Sequence, residues 1–210
     1  MQKSDRGNSS ATPGRPGRRT GRPPPIELGD LDIRIARDGT WFYRGSPITR
    51  ISLVKLFASV LRREPDGRYW LVTPAERGRV TVEDVPFIAV AVDAEGEGRD
   101  RKLIFRTNLD EIVTAGPDHK LRVETAADGT PAPYILVRPG LEARPGLEAS
   151  PGLEASPGIE ASPGLEARLA RPVFYELAEL GAEEPIAGES QFGVWSGGMF
   201  FRLGDTGDEC

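Results

Sequence analysis

The chain has 210 residues, 38% of them hydrophobic and 28% charged, with a formal net charge of −5. It contains a single histidine, His119, and a single cysteine, Cys210, which is the last residue. A transition-metal site usually needs three or four imidazole or thiolate ligands, and a disulfide needs two cysteines. We therefore expect no metal site and no internal disulfide, and no motif points to a bound cofactor.

Hydrophobic residues are distributed as in a water-soluble protein. No run of about 18 apolar residues is present, which is the length that a membrane-spanning helix needs. The N-terminus is charged and has no apolar stretch, unlike a secretory signal. We therefore expect a cytoplasmic protein with no membrane partner.

Residues 1–26 form a basic tail rich in proline and glycine. The tail holds six lysines and arginines against one acidic residue, so the remainder of the chain is acidic. We expect the tail to be disordered, because such compositions bury too little apolar surface to fold. The alternative is a weak contact of this tail with nucleic acid, which the acidic remainder would not attract.

Residues 27–98 predict a first β-rich unit. Its expected elements are a hairpin, a helix and two further strands, in the order 31–36, 41–43, 49–63, 69–72 and 85–92. The dipeptide Asp38-Gly39 indicates the hairpin turn. Apolar residues at helical spacing, Phe57 among them, predict the buried face of the helix.

Residues 99–205 predict a second unit of similar design, followed by a tail over 206–210. Its expected elements are three strands, a helix and a final hairpin, at 102–106, 121–124, 134–137, 172–181, 192–195 and 199–203. Both units thus show the succession hairpin, helix, strand. The predicted fold class is α+β, with two related β-rich units and mostly antiparallel sheets.

A pentapeptide recurs every six residues within the second unit. Pro-Gly-Leu-Glu-Ala starts at Pro139, Pro145, Pro151 and Pro163, and an isoleucine variant starts at Pro157. A hexapeptide β-helix needs several stacked coils, and five repeats make fewer than two. Deleting residues 144–167 would join Ala143 to Arg168 in register, so we expect this segment to be a disordered insert in a loop.

Several separated blocks resemble a known family. They are the string Asp38-Gly-Thr-Trp-Phe-Tyr-Arg-Gly-Ser-Pro-Ile-Thr-Arg50, Asp84–Phe87, Phe105–Asn108 and Arg168–Leu180. Over residues 28–203, without the insert, the chain is similar to a bacterial family catalogued as domain of unknown function 1285. The resemblance implies two related β-rich units and a ligand-binding or signalling role, and it brings no catalytic residues.

Arg50, Arg138 and Arg168 occur at corresponding places in the two units. Arginine recognises planar oxyanions, so the three side chains predict a site for a small anionic ligand or an acidic group of a partner protein between the units. The alternative is that internal carboxylates, for which Glu142 and Glu176 are candidates, already bind these arginines.

Three further residues are candidates for ligand binding. Arg106 and Asn108 lie at a strand end, where binding residues often cluster. His119 lies in a turn and has the chemistry of a base or an anion ligand. Each also has a structural interpretation, since Asn108 and His119 are residue types that often bond the local backbone.

These observations favour a non-catalytic, regulatory protein that binds a ligand or a partner. They identify no catalytic residue, and an enzyme is the less favoured class. The alternatives are a hydrolase that uses carboxylates with help from His119 or Tyr134, and weak association with nucleic acid through residues 1–26.

Overall fold

The computed structural model describes residues 24–126, 129–140, 163–186 and 188–204. This part of the chain is mostly β, with fifteen strands, two short α-helices and one turn of 3₁₀ helix at Gly98–Asp100. The first six strands are β1 (Ile26–Ile35), β2 (Trp41–Tyr43), β3 (Ser46–Pro47), β4 (Leu61–Arg63), β5 (Tyr69–Val72) and β6 (Glu76–Val82). The next six are β7 (Phe87–Glu95), β8 (Lys102–Thr107), β9 (Ile112–Thr114), β10 (Leu121–Thr125), β11 (Pro131–Arg138) and β12 (Leu165–Leu169). The last three are β13 (Ala182–Ile186), β14 (Glu189–Ser196) and β15 (Met199–Gly204), and the helices are α1 (Ile51–Ser59) and α2 (Arg171–Glu179).

The first two sheets share one topology. The first has the strand order β3-β2-β1-β6-β5-β4, and the second has β10-β11-β12-β7-β8-β9. In each sheet two three-stranded antiparallel meanders meet at a central parallel pair, formed by the first and the last strand of the unit. The expectation of two repeated units with largely antiparallel sheets is confirmed, although the repeated element is this double meander.

The helices do not occupy corresponding places in the two units. α1 lies between β3 and β4, in the middle of the first unit, whereas α2 follows β12 and leads into a third sheet of β13, β14 and β15. The predicted succession of hairpin, helix and strand is therefore not what repeats. The expected division after residue 98 is also too late, because β7 pairs with β8 and β12 in the second sheet.

The first helix is shorter than the apolar spacing predicts. α1 ends at Ser59, and the residues expected to form its last turn belong to β4, where Leu61 pairs with Leu71 of β5. Only Val54 and Ala58 of the helix are buried, while Phe57 is half-buried and stacks on Trp41 with ring centroids 6.4 Å apart. The predicted buried stripe is thus divided between a helix and an edge strand.

The last copy of the repeated pentapeptide is part of the second sheet. Leu165 and Ala167 of β12 are buried, and the strand lies between β11 and β7. The prediction of a loop up to residue 167 is wrong over Leu165–Ala167, because these residues form part of β12, one of the two central strands of the second sheet. The predictions for residues 1–23, the copies within 141–162 and the tail 206–210 lie outside the described residues.

One hydrophobic core joins the units. Fully buried side chains of the first sheet, such as Ile35 and Leu61, belong to the same cluster as Phe87 and Phe105 of the second. Leu177 of α2 is in this cluster too. In the described part of the chain, no helix has the length and apolar character needed to cross a membrane.

Candidate functional site

Two of the predicted site residues have structural roles. The Asn108 side-chain oxygen accepts the Ile88 N–H at 3.0 Å, and its own N–H bonds the Ile88 carbonyl at 2.8 Å. The His119 Nδ1 lies 2.9 Å from the Leu136 carbonyl. Because neutral imidazole can donate from either nitrogen, this contact indicates the tautomer with a proton on Nδ1. Both side chains therefore bond the backbone, as their structural interpretation predicted.

Arg138 joins the second unit to the first helix. Its Nε donates to Glu111 at 2.9 Å, its Nη2 donates to the other oxygen of that carboxylate, and its Nη1 donates to the Ala58 carbonyl at the end of α1. The guanidinium also lies 5.2 Å from the ring centroid of Phe87. A bidentate carboxylate and a backbone carbonyl occupy its donors, so Arg138 holds the fold together.

The three corresponding arginines do not converge. Arg168 on β12 lies opposite Tyr134 on β11. Tyr134 is four residues before Arg138, so the backbone positions of Tyr134 and Arg138 are about 13 Å apart along the strand. Arg50 precedes α1, eight residues from the Ala58 carbonyl that Arg138 contacts, or about 12 Å along a helix. Each of the three has its own contact in the structure: Arg138 with Glu111, Arg168 with Asp84, and Arg50 with Ser52.

Arg50 and Arg106 are exposed. The Arg50 Nε contacts the Ser52 hydroxyl at 3.2 Å, and Arg106 lies 3.9 Å from the Asp110 carboxylate. Asp110 forms a closer ion pair with Lys55, at 2.6 Å, which lowers the pKa of this carboxyl. Among the described residues, Arg138 pairs with Glu111 and Arg168 pairs with Asp84, not with Glu176. Glu142, the other partner named from the sequence, lies outside the described residues.

Three cross-strand neighbours form a row on one face of the second sheet. Arg122 on β10, Tyr134 on β11 and Arg168 on β12 lie directly opposite one another. The two guanidinium carbons lie 4.4 and 5.9 Å from the centroid of the Tyr134 ring. The phenol is therefore held between two cations, an arrangement that cation–π attraction favours.

Carboxylates pair with both ends of this row. Glu166 accepts two bonds from Arg122, at 2.7 and 2.9 Å, and this raises the pKa of the guanidinium. Asp84 accepts from Arg168 at 2.8 Å and from the Tyr134 hydroxyl at 3.1 Å. Burial, and secondly the Asp84 charge, raise the pKa of Tyr134, so the phenol stays protonated and donates.

The Arg168 end of the row opens onto a small pocket at the start of α2. The pocket has a volume of about 200 Å³. Its polar lining includes Arg168, Arg171 and Thr130, and its apolar wall is formed by Pro131, Pro133, Leu169, Phe174 and Tyr175. Arg171 is exposed and has no ion-pair partner among the described residues, while Arg168 donates only its Nη1 to Asp84. Two guanidinium groups thus line one pocket, and in the described part of the chain a carboxylate pairs with only one of them.

The sequence analysis predicted one of these two arginines. Arg168 is among its candidates for anion binding. It does not name Arg171 or Arg122, and it names Tyr134 only for the hydrolase alternative. Alternation of polar and apolar residues in 121–125 and 165–169 indicates which side chains share a face. It does not indicate which strands are neighbours. Residues described by the structure form no group of three or more His, Cys, Asp or Glu side chains suited to a metal ion.

Comparisons with known proteins identify the relatives of the chain. The model of the N-terminal domain of the domain of unknown function DUF1285 matches residues 22–85, and the model of the DUF1285 C-terminal domain matches residues 86–149 and 146–203. A crystal structure of a DUF1285 family protein from Silicibacter pomeroyi is 39% identical, with a TM-score of 0.71, over 89% of this chain and 90% of that chain. A DUF1285 family protein from Shewanella baltica is 23% identical, with a TM-score of 0.46, over 72% and 92% of the two chains. No protein with a curated description matches. The chain therefore belongs to the DUF1285 family.

Proposed function

We propose that the chain is a non-catalytic binding protein whose ligand is a small anion, bound in the pocket at the start of α2. The observation that carries this proposal is the presence of Arg168 and Arg171 in one pocket, where Asp84 is the only carboxylate among the described residues that pairs with either. A guanidinium has five N–H donors, so the single bond from Arg168 to Asp84 leaves most of its donors for a ligand.

The pocket lining also indicates the chemical class of the ligand. Carboxylate and phosphate groups match the planar fork of arginine, and both are bound tightly where charge-assisted hydrogen bonds are shielded from water. The Phe174 and Tyr175 rings and the two prolines offer apolar contacts beside the arginines. The ligand that fits best is a small carboxylate or phosphate with a short apolar body.

The contacts of the titratable groups favour binding over hydrolysis. A hydrolytic site needs convergent acid and base groups that reach the substrate. Here Asp84 is paired with Arg168, Glu166 with Arg122, and the ring of His119 bonds a backbone carbonyl. These groups are held in internal contacts, so a binding role uses the pocket without requiring them to be released.

Calorimetric titration with three probes tests the proposal. Inorganic phosphate presents the anion alone, whereas benzoate and phenyl phosphate add an apolar body. We expect phenyl phosphate to bind most tightly, and R171A to weaken its binding by about tenfold or more, the value of one charge-assisted hydrogen bond. The matched control is R50A, which removes an exposed arginine beside the other helix.

Three results would contradict this proposal, and the first two concern binding itself. One is that none of the three probes, nor any other small phosphate or carboxylate, binds the wild-type chain at millimolar concentration. The other is that R171A and R50A bind phenyl phosphate as tightly as the wild type does. Equal loss in both variants would indicate a general charge effect and would also exclude the pocket.

A further inference from the structure

Strand β10 has one free edge in the described structure. It is the first strand of the second sheet, and among the described residues only β11 pairs with it. The Leu136 N–H bonds the Lys120 carbonyl at 3.0 Å, and the Ala126 N–H bonds the Thr130 carbonyl at 2.8 Å. Because backbone groups alternate along a strand, even-numbered residues bond β11, and the N–H and C=O of Val123 and Thr125 face outward.

The sequence of β11 agrees with this assignment. Pro133 lies opposite Val123, and Pro131 lies opposite Thr125. Proline has no N–H, so it fits at positions where the two strands exchange no hydrogen bonds. The outward groups of β10 are therefore left for another strand to bond.

Space for such a strand lies beside this edge. β10 and β15 pack against each other, and a groove of about 560 Å³ lies along this contact, with Val123, Thr125, Phe200 and Leu203 in its lining. An unpaired edge with apolar side chains next to it is a common place for strand addition. A strand on β10 would cover this groove.

We propose that the strand added there is β10 of a second copy of this chain, in antiparallel orientation and centred on Val123. In this register Val123 faces Val123 of the second copy. Arg122 faces Glu124 of the second copy, and by symmetry Glu124 faces Arg122. The outward N–H and C=O groups of the odd-numbered residues then bond one another, and the two second sheets become one continuous sheet.

Charge complementarity determines both the partner and the register. Directly opposed cross-strand side chains attract when their charges are opposite and repel when they are alike. A register centred on Arg122 would oppose two arginines, and one centred on Glu124 would oppose two glutamates. Centring on Val123 alone opposes arginine to glutamate at both positions. Within one chain Glu124 already pairs with Arg122, and its side chain is still 61% exposed. In the dimer the two chains would therefore join their pairs into one network of four alternating charges.

The opposite edge of the same sheet provides a matched comparison. Strand β9 carries no charged residue, so it has no comparable complementarity with itself. The Ala115 N–H bonds the Leu103 carbonyl at 2.9 Å, and the Thr107 N–H bonds the Glu111 carbonyl at 2.8 Å. By the same alternation the Thr114 N–H faces outward from β9.

Light scattering coupled to size exclusion, with the full chain over a range of concentrations, measures the oligomeric state. We expect the wild type to reach twice the mass of one chain. V123P, which removes one outward N–H, should remain monomeric, whereas T114P should dimerise as the wild type does. E124K replaces two attractive pairs by two repulsive ones and should raise the dissociation constant about tenfold.

A measurement on the wild type keeps the test valid if V123P does not fold. Hydrogen exchange of the amides in residues 121–125 should slow as the protein concentration rises, and exchange in residues 112–114 should not. A monomer at every concentration would overturn the proposal, as would a dimer that persists in both V123P and E124K. This interface uses none of the pocket residues, so it stands or fails separately from the proposed function.

Discussion

Replacing Arg138 by methionine should destabilise the fold strongly, because this residue links the two units. Methionine keeps an unbranched apolar stem over Phe87 and removes the charge and the donors. The lost interactions are a bidentate pair with Glu111 and a bond to the Ala58 carbonyl. Breaking a fully buried pair costs about 3–5 kcal/mol. The two side chains keep 30% and 27% of their exposure, so we expect a loss of about 3 kcal/mol.

Thermal unfolding and urea denaturation measure this loss. For a chain of this size, about 3 kcal/mol corresponds to a fall in melting temperature of about 6–12 °C. The matched control is R106M. Arg106 lies 3.9 Å from Asp110, and both side chains are more than half exposed, so its removal should cost less than about 1 kcal/mol.

A double-mutant cycle with E111Q identifies the source of the effect. If the loss comes from the Arg138–Glu111 pair, the two single substitutions should be coupled by about 1–3 kcal/mol. A loss below about 1 kcal/mol in R138M, or additive effects in the cycle, would refute the structural role. Folded R138M should still bind phenyl phosphate, since Arg138 lies outside the α2 pocket.

Two further predictions concern the repeat and the tyrosines. Deleting residues 141–164 should change the melting temperature by no more than about 2–4 °C. Gly140 and Gly164 are close in space, since a Cβ on Gly164 would lie 3.2 Å from the Gly140 nitrogen, so the shortened chain can close there. A larger fall in a thermal scan would show that the deleted copies pack. Burial raises the pKa of Tyr69 and Tyr134 above the unfolded value of about 10, so stability is intact below pH 10 and falls as the pH rises further. In Y69F and Y134F, urea denaturation between about pH 9 and 11 should show a smaller loss than in the wild type; an unchanged pH dependence in both would contradict the assignment.

Features that depend on neighbouring residues could be predicted from the sequence. The Asp38-Gly39 turn is one: Gly39 has a φ of 82°, which glycine adopts readily, and the Asp38 side chain accepts the Thr40 N–H at 2.9 Å. The hairpin at Gly197-Gly198 is another, with φ values of 57° and 75°. In both cases the chemistry that determines the turn lies within four residues.

Features that depend on distant pairing could not. The spacing of apolar residues over 60–63 suits a helix end and a buried strand equally, and the outcome was decided by the pairing of Leu61 with Leu71. The partners of the arginines follow the same rule. Glu111 lies 27 residues from Arg138, and Asp84 lies 84 residues from Arg168. Sheet order brings them together, and no local pattern specifies sheet order.

The repeat shows why local sequence can be insufficient even where it is nearly identical. Leu-Glu-Ala-Arg occurs at residues 141–144 and again at residues 165–168, and the second occurrence forms β12. Both have the alternation that buries leucine and alanine and exposes glutamate and arginine, so side-chain pattern does not distinguish them. The connection to the following helix distinguishes the two occurrences. α2 begins at Arg171, three residues after Arg168, and packs against β7. Only the last copy can therefore pair with β7 and lead directly into this helix. Deleting 141–164 and deleting 144–167 produce the same polypeptide, in which the one remaining copy meets both requirements.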